Sequence, residues 1–239
     1  MDDKHEEKKK KHLFKLATGG FKEKVDFNLF PEPERTLRKS LEAYRTFLAE
    51  DPLNGSYNAI CGGILKELGD FRGALFELNV AIRWLDAPGY YYTRGEIKCD
   101  LLDYKGAIED FTKAIGNTIE TDTLCVMYQS RGYTKCYLED YAGAIDDMTK
   151  IIDIGRYDYD GYGNRADVKE KSQDYLGAIE DFTKAIEFYK KIGLESYVYI
   201  KRANVKFKLG DKNGACIDWK KASELGNNEA NEFINEHCK

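Results

Sequence analysis

Histidine is nearly missing from this chain: His5, His12 and His237 are the three present in 239 residues, and all lie at the ends. A histidine general base or a His/Cys zinc cage therefore has almost nothing to work with. Glycine-rich phosphate loops are absent too. The stretch from Gly161 to Arg165 lacks the Gly-Lys-Ser/Thr ending and has no strand before it. Carboxylates are plentiful, yet no spacing gathers two of them with a nucleophile or metal partner, so the expectation is no enzyme, no metal and no cofactor. Apolar runs are short. None reaches the 18 residues of a membrane span, and the opening 20 residues hold no apolar stretch of seven, so no secretory signal is read there. Six cysteines, at 61, 99, 125, 136, 216 and 238, form no CxxC pair. Without a signal they read as reduced thiols, and the chain as cytoplasmic. A cationic excess is also lacking: 37 Lys and Arg stand against 42 Asp and Glu, a net charge of −5. The first 24 residues hold eight Lys and five Asp or Glu, a net of +3, which leaves −8 on the rest. That balance disfavours a general nucleic-acid binder. The Lys8–Lys11 run reads as a solvated terminus.

What is present is a repeat. Four prolines among plentiful Lys, Glu, Ala and Leu lean helical. DYKGAIEDFTKAI begins at Asp103, DYAGAIDDMTKII at Asp140 and DYLGAIEDFTKAI at Asp174, with weaker copies from Asp70 and Asp211. The starts are 33, 37, 34 and 37 residues apart. A second pattern precedes them, as in YYTRGEIKCDLL and YQSRGYTKCYLE. Both halves carry small or apolar residues at helical spacing: Ala107, Phe111 and Ala114 fall at i, i+4 and i+7 on one face, behind Asp103 as a natural N-cap. Each unit is thus helix, tight turn, helix. One pair cannot bury its apolar face alone, but stacked pairs do. The three extra residues of the 37-residue periods fall in GNTIETDT and FYKKIGLES and read as one added turn on the second helix.

This spacing resembles the tetratricopeptide repeat (TPR), a 34-residue helical hairpin. That family places a small residue in the middle of helix A, small residues at two helix-B positions and an aromatic between those two. Here the helix-A site holds Gly62, Gly95, Gly132, Ala166 and Ala203. The first helix-B site holds Ala74, Ala107, Ala144, Ala178 and Ala215, and the second holds Ala81, Ala114, Ile151, Ala185 and Ala222. Between them stand Leu78, Phe111, Met148, Phe182 and Trp219. Small residues let two helices cross near their axes while the large one fills the gap beside them. Met148 and Ile151 depart from the pattern, as does Lys212, which replaces the aromatic after the turn Asp. The resemblance covers roughly residues 55–229. Glu34–Glu50 reads as an amphipathic helix that resembles a helix B without its helix A, and Asp51-Pro52 stops it. Asn227–Cys238 reads as a capping helix with Ala230, Phe233 and Ile234 turned inward.

Arg94, Arg131, Arg165 and Arg202 recur at one helix-A position, and Asp110, Asp147, Asp181 and Asp218 at one helix-B position. The first unit has Cys61 and Glu77 there. Matched acids neutralise the guanidinium groups, so the row reads as a structural ion-pair ladder rather than an anion site. Tyr91, Tyr128, Tyr162 and Tyr199 share one repeat position and read as core; Tyr104, Tyr141 and Tyr175 share the post-turn position and read as packing. Cys99 and Cys136 are equivalent positions roughly 10 Å apart by helix packing, too far for a disulfide.

The resemblance implies that helix A lines a concave face carrying the ligand contacts. The groove residues it implies are Tyr92, Glu96, Gln129, Tyr133, Tyr137, Asn164, Asp167, Lys201 and Asn204. Asn amides serve a peptide backbone with both donor and acceptor, and Tyr offers apolar area at low entropy cost. One subset of the family grips a chaperone C-terminal carboxylate. Asn164 and Lys201 sit at two of its positions, but Gln129 and Tyr133 stand where Lys and Asn are needed, so that ligand is not expected. The fold expected is an all-α, right-handed solenoid of about five hairpins (55–87, 88–124, 125–158, 159–195 and 196–229). It has a charged arm and lead-in at 1–33, an N-terminal capping helix at 34–52 and a C-terminal one at 230–239. The function expected is a non-catalytic scaffold for a protein or peptide, as a monomer or weak homodimer without membrane contact. The alternatives are a helical-repeat nucleic-acid binder and a regulatory subunit of an enzyme on another chain. The last unit resembles bacterial members of the family.

Overall fold

The second helix of every repeat opens on an aspartate that replaces a missing helical hydrogen-bond partner. Asp70, Asp103, Asp140, Asp174 and Asp211 each accept a hydrogen bond from the backbone N–H three residues on, at Gly73, Gly106, Gly143, Gly177 and Gly214, over 2.8–3.0 Å. The turn before each cap is equally uniform. Gly69, Leu102, Glu139, Gln173 and Gly210 all take left-handed backbone, with φ between 59° and 93°. Glycine adopts this conformation freely, whereas Leu102, Glu139 and Gln173 are held in it by the turn.

The computed structural model describes residues 32–155 and 158–238. The charged arm and most of the lead-in expected over 1–33 lie outside them. The described residues form twelve helices and no strand. They are α1 (Glu34–Glu50), α2 (Gly55–Glu67), α3 (Phe71–Trp84), α4 (Pro88–Asp100), α5 (Tyr104–Gly116), α6 (Thr121–Tyr137), α7 (Tyr141–Ile154), α8 (Asp158–Lys171), α9 (Tyr175–Tyr189), α10 (Glu195–Leu209), α11 (Lys212–Glu224) and α12 (Glu229–His237). They divide into two compact units, one ending at Leu102 and one beginning at Asp103. Among the described residues no helix is long and apolar enough to cross a membrane.

In the first unit α2 and α3 form a hairpin, with α1 packed on α2 and α4 on α3. Its core gathers Leu41, Cys61, Leu65, Ala74, Leu78 and Ile97. In the second unit α6/α7, α8/α9 and α10/α11 are hairpins, each packed on the next, and α12 closes onto α11. The small residues named from the sequence are buried throughout, as are Leu78, Phe111, Met148, Phe182 and Trp219 between them. Close approach explains the glycine at 62: a Cβ there would stand 2.8 Å from Leu78 Cγ and 3.3 Å from the Ala74 carbonyl oxygen. On α12, Ala230 is buried and Phe233 stacks on Trp219 with centroids 5.3 Å apart.

Two expectations are corrected. The added turn of the third unit lies on helix A, not helix B: α5 ends at Gly116 after 13 residues, while α6 runs for 17. Gly116 and Asn117 are poor helix formers that stop α5, and Thr121, Asp122 and Thr123 start α6 early. After the fourth unit α9 gains a single residue over α7, and the remainder forms a turn through Gly193. The cysteines are not all thiols either. Cys216 on α11 is disulfide-bonded to Cys238 just after α12, while Cys61, Cys99, Cys125 and Cys136 remain thiols. Sequence spacing could not pair residues brought together by α12 folding back on α11.

Gln173→Gly should raise the unfolding free energy by about 1 kcal/mol, because it removes the left-handed strain of a side-chain-bearing residue. Gly62→Ala should lower it by about 1–3 kcal/mol through overpacking against Leu78. Urea titration of the full chain reads both; a loss at 173 or a gain at 62 would contradict the turn and crossing geometry.

Candidate functional site

The second unit carries three repeated polar clusters that fix how its A helices present their faces. Arg131 on α6 grips Asp147 on α7 through Nε and Nη2 at 3.0 and 2.6 Å, and its Nη1 donates to Thr112 on α5 at 3.0 Å. Arg165 repeats this with Asp181 and Thr149, and Arg202 with Asp218 and Thr183. A lysine one turn further along helix A, Lys135, Lys169 or Lys206, closes on the same carboxylate at 2.8–2.9 Å. Each arginine also lies over the tyrosine three residues before it: Tyr128, Tyr162 or Tyr199, at 5.4–5.5 Å from the ring centroid. These are the expected ladder residues, with a lysine that recurrence alone did not single out. In the first unit Arg94 lies over Tyr91 and donates to Asn79 on the preceding helix B at 2.7 Å.

Burial alone would raise the Asp181 carboxyl, but hydrogen bonds from Arg165 and Lys169 outweigh it and hold it below the ordinary aspartate range. A depressed folded pKa stabilises the protein above the unfolded value of about 3.9, and that contribution disappears as pH falls through the folded value.

Against this frame, the groove residues fall into separate groups. On the first unit's α4, Glu96 pairs with Lys66 of α2 at 2.8 Å, and Tyr92 is half-buried. On the second unit, the Tyr133 hydroxyl donates to Asn164 Oδ1 at 2.9 Å, linking α6 to α8. Burial, with Asp167 nearby, pushes the Tyr133 phenol far up, so it stays a donor. Asp167 receives both its hydrogen bonds from Lys201 of α10, at 2.6 and 2.8 Å. Burial pulls Lys201 down, but Asp167 overrides it and holds the ammonium above its ordinary range. Tyr137 is 65% exposed and stacks flat on Tyr104 of α5 at 4.7 Å. Asn204 accepts from the Trp219 indole at 3.0 Å, so its oxygen serves the α10/α11 hairpin.

Gln129 and Asn164 line a cavity of about 430 Å³ with Asp122, Thr123, Cys125 and Val126 of α6 and Ile151 of α7. The Asn164 oxygen is taken by Tyr133, while its Nδ2 is buried without a hydrogen-bond partner. An unsatisfied buried amide donor is costly in a folded chain and marks a place where an acceptor belongs. Val126 and Ile151 supply apolar wall; Gln129 supplies an amide with both donor and acceptor. The arrangement sets an amide donor beside an apolar wall. Sequence reading missed Asp122, Thr123 and Val126, and the signal for them was the three-residue insertion that starts α6 early. Among the described residues, no cluster of three or more His, Cys, Asp or Glu offers a metal site.

A family model for the tetratricopeptide repeat matches residues 159–192, which span α8 and α9. Solved TPR structures superpose on most of the chain. The C-terminal part of a TPR repeat-containing protein from Cytophaga hutchinsonii reaches a TM-score of 0.71 at 17% identity, covering 84% of this chain and 83% of that one. YrrB, a TPR protein described as having an unusual peptide-binding site, reaches 0.62 at 15% identity over 82% of this chain and 99% of its own. MamA reaches 0.58 at 20% identity over 68% and 97%. No curated protein matches significantly by sequence. The chain therefore has the TPR fold, with one repeat matched directly by sequence.

Asp181→Ala should cost about 3–5 kcal/mol in urea unfolding, because it leaves Arg165 and Lys169 facing each other without their shared anion. Lys169→Met should cost clearly less, since the bidentate Arg165 pair remains. Wild-type stability should also fall more steeply below about pH 4 than that of Asp181→Ala. Equal costs, or parallel acid profiles, would remove the ladder from its structural role.

Proposed function

We propose that this chain is a non-catalytic protein-interaction scaffold, and that the A-helix face of its second unit binds an extended peptide segment of a partner protein. One observation carries the reading: the buried, unpartnered Asn164 Nδ2 in the wall of the α6–α8 cavity. The amide is oriented by Tyr133 before any ligand arrives, so little ordering cost is left for binding. Around it, Gln129 offers a second amide, and Asp167 is neutralised by Lys201, which favours a backbone contact over recognition of a strong charge. The TPR fold supports the same class of function, as do the A-helix positions of Gln129, Tyr133, Asn164 and Asp167.

A random 12-residue peptide library displayed on phage and selected against the full chain is the direct probe. Selected peptides should bind Asn164→Ala at least about tenfold more weakly, the loss of one buried hydrogen bond. Tyr133→Phe should weaken them less, since it frees the amide without removing it. Peptides bound equally by Asn164→Ala and wild type would place recognition elsewhere.

A further inference from the structure

The first unit breaks the repeat pattern at two places that meet. On its helix A, Cys61 occupies the position of the ladder arginine and Leu65 that of the ladder lysine; on its helix B, Glu77 replaces the aspartate. Burial raises the Glu77 carboxyl, and Arg45 of α1 offsets that only in part. A thiol fills far less space than a guanidinium. Beside this substitution lies a cavity of about 740 Å³, walled by Leu48, Pro52, Leu53, Phe76 and Val80, with Arg45 and Glu77 in its lining.

The outer face of helix B departs in the same unit. Helices α5, α7 and α9 carry an acid and a lysine four residues apart on exposed positions: Glu109 and Lys113, Asp146 and Lys150, Glu180 and Lys184. Those are solvated charged positions of an ordinary helix surface. At the equivalent positions α3 carries Phe76 and Val80, followed one turn on by Trp84. Phe76 is 66% exposed and Trp84 58%, and Leu53 beside them is 52% exposed. Phe76, Val80 and Trp84 form an apolar stripe on a helix whose counterparts α5, α7 and α9 carry charges at the first two of these positions, and such a stripe marks a surface covered by something else.

We propose that the α1–α3 face is a homodimer interface, covered by the same face of a second copy. The patch holds a cavity and, on the same helix, Trp84, which is 58% exposed. A two-fold axis needs both on one surface, so that each copy's knob meets the other's hole. It is also balanced in charge. Arg45, Arg72 and Arg83 stand against Glu42, Glu77 and Asp86 in the cavity lining and along α3 and its end. Two copies therefore meet without the like-charge penalty that a net of −5 would otherwise impose. Trp and Phe are the residue types that dominate such interfaces, centrally placed and ringed by polar groups.

Sedimentation equilibrium of the full chain from about 1 to 100 µM tests this. Wild type should reach twice the monomer mass within that range. Phe76→Lys and, separately, Trp84→Ser should sediment as monomers at tenfold or more above the wild-type midpoint. Both side chains are largely exposed, so at concentrations below the wild-type dimer midpoint both variants should keep the wild-type melting curve. Ile217→Lys, an equally exposed apolar residue at the equivalent position of α11, should dimerise like wild type. Monomeric wild type at 100 µM would overturn the proposal, including the case in which the face instead captures another protein. Dimers of Phe76→Lys and Trp84→Ser with the wild-type midpoint would overturn it as well.

Discussion

A buried carboxylate shared by an arginine and a lysine is the constraint on which the second unit depends. Asp147, Asp181 and Asp218 are each about 2% exposed and would be costly to bury alone. The arginine that neutralises each one comes from helix A of the same hairpin and also reaches a threonine of the preceding helix B. One side chain thus ties three helices and fixes which hairpin stacks on which. Apolar burial supplies the driving force but is indifferent to small slides; a bidentate Arg–carboxylate pair is not. The geometry works only because small residues let the two helices of a hairpin approach, as the tight surroundings of Gly62 and Gly132 show.

With that register fixed, the two faces of each A helix acquire different work. The side toward helix B is spent on packing and on the ladder. The opposite side is released, and in α6 and α8 it holds Gln129, Tyr133, Asn164 and Asp167. Tyr133 and Lys201 hold two of these in place, and the Asn164 amide nitrogen is left over. In the α2/α3 hairpin the ladder is missing, and its place is taken by Cys61, Glu77 and an arginine from α1. A cavity and an apolar outer stripe accompany that change. One repeat architecture thus presents a polar, pre-oriented surface in one unit and an apolar one in the other, by substitutions at a few register positions.

Much of this was legible in the sequence, because recurrence at a fixed phase isolates positions with a shared physical job. The alanines, the N-cap aspartates and the Arg–Asp ladder at Arg131, Arg165 and Arg202 could be read that way and stand in the structure as read. The lysine of each ladder was hidden by ordinary surface lysines nearby. Phase carries no information about insertions, so the extra turn was assigned to helix B, and the cavity wall it builds at Asp122, Thr123 and Val126 went unseen. Recurrence also says nothing about unique contacts. The Cys216–Cys238 bond depends on α12 folding back onto α11, and Tyr104, a packing residue by its repeat position, also stacks on exposed Tyr137. The groove residues lie on α4, α6, α8 and α10, but which of them bond to one another required coordinates: Asn204 serves Trp219, and Asn164 keeps a donor to spare.

The most direct measurement is to transplant the ladder into the first unit. Arg45→Thr, Cys61→Arg and Glu77→Asp together bring there the arginine, the aspartate and the threonine of the other hairpins, with Leu65 left where those carry the lysine. If the shared carboxylate sets that register, the triple variant should unfold in urea at a free energy equal to or above wild type. Cys61→Arg alone, which brings a second arginine against Arg45, should be less stable by about 2 kcal/mol or more, so that the three changes are strongly coupled. A triple variant as destabilised as the single one would show that the ladder is a consequence of the packing and not its determinant.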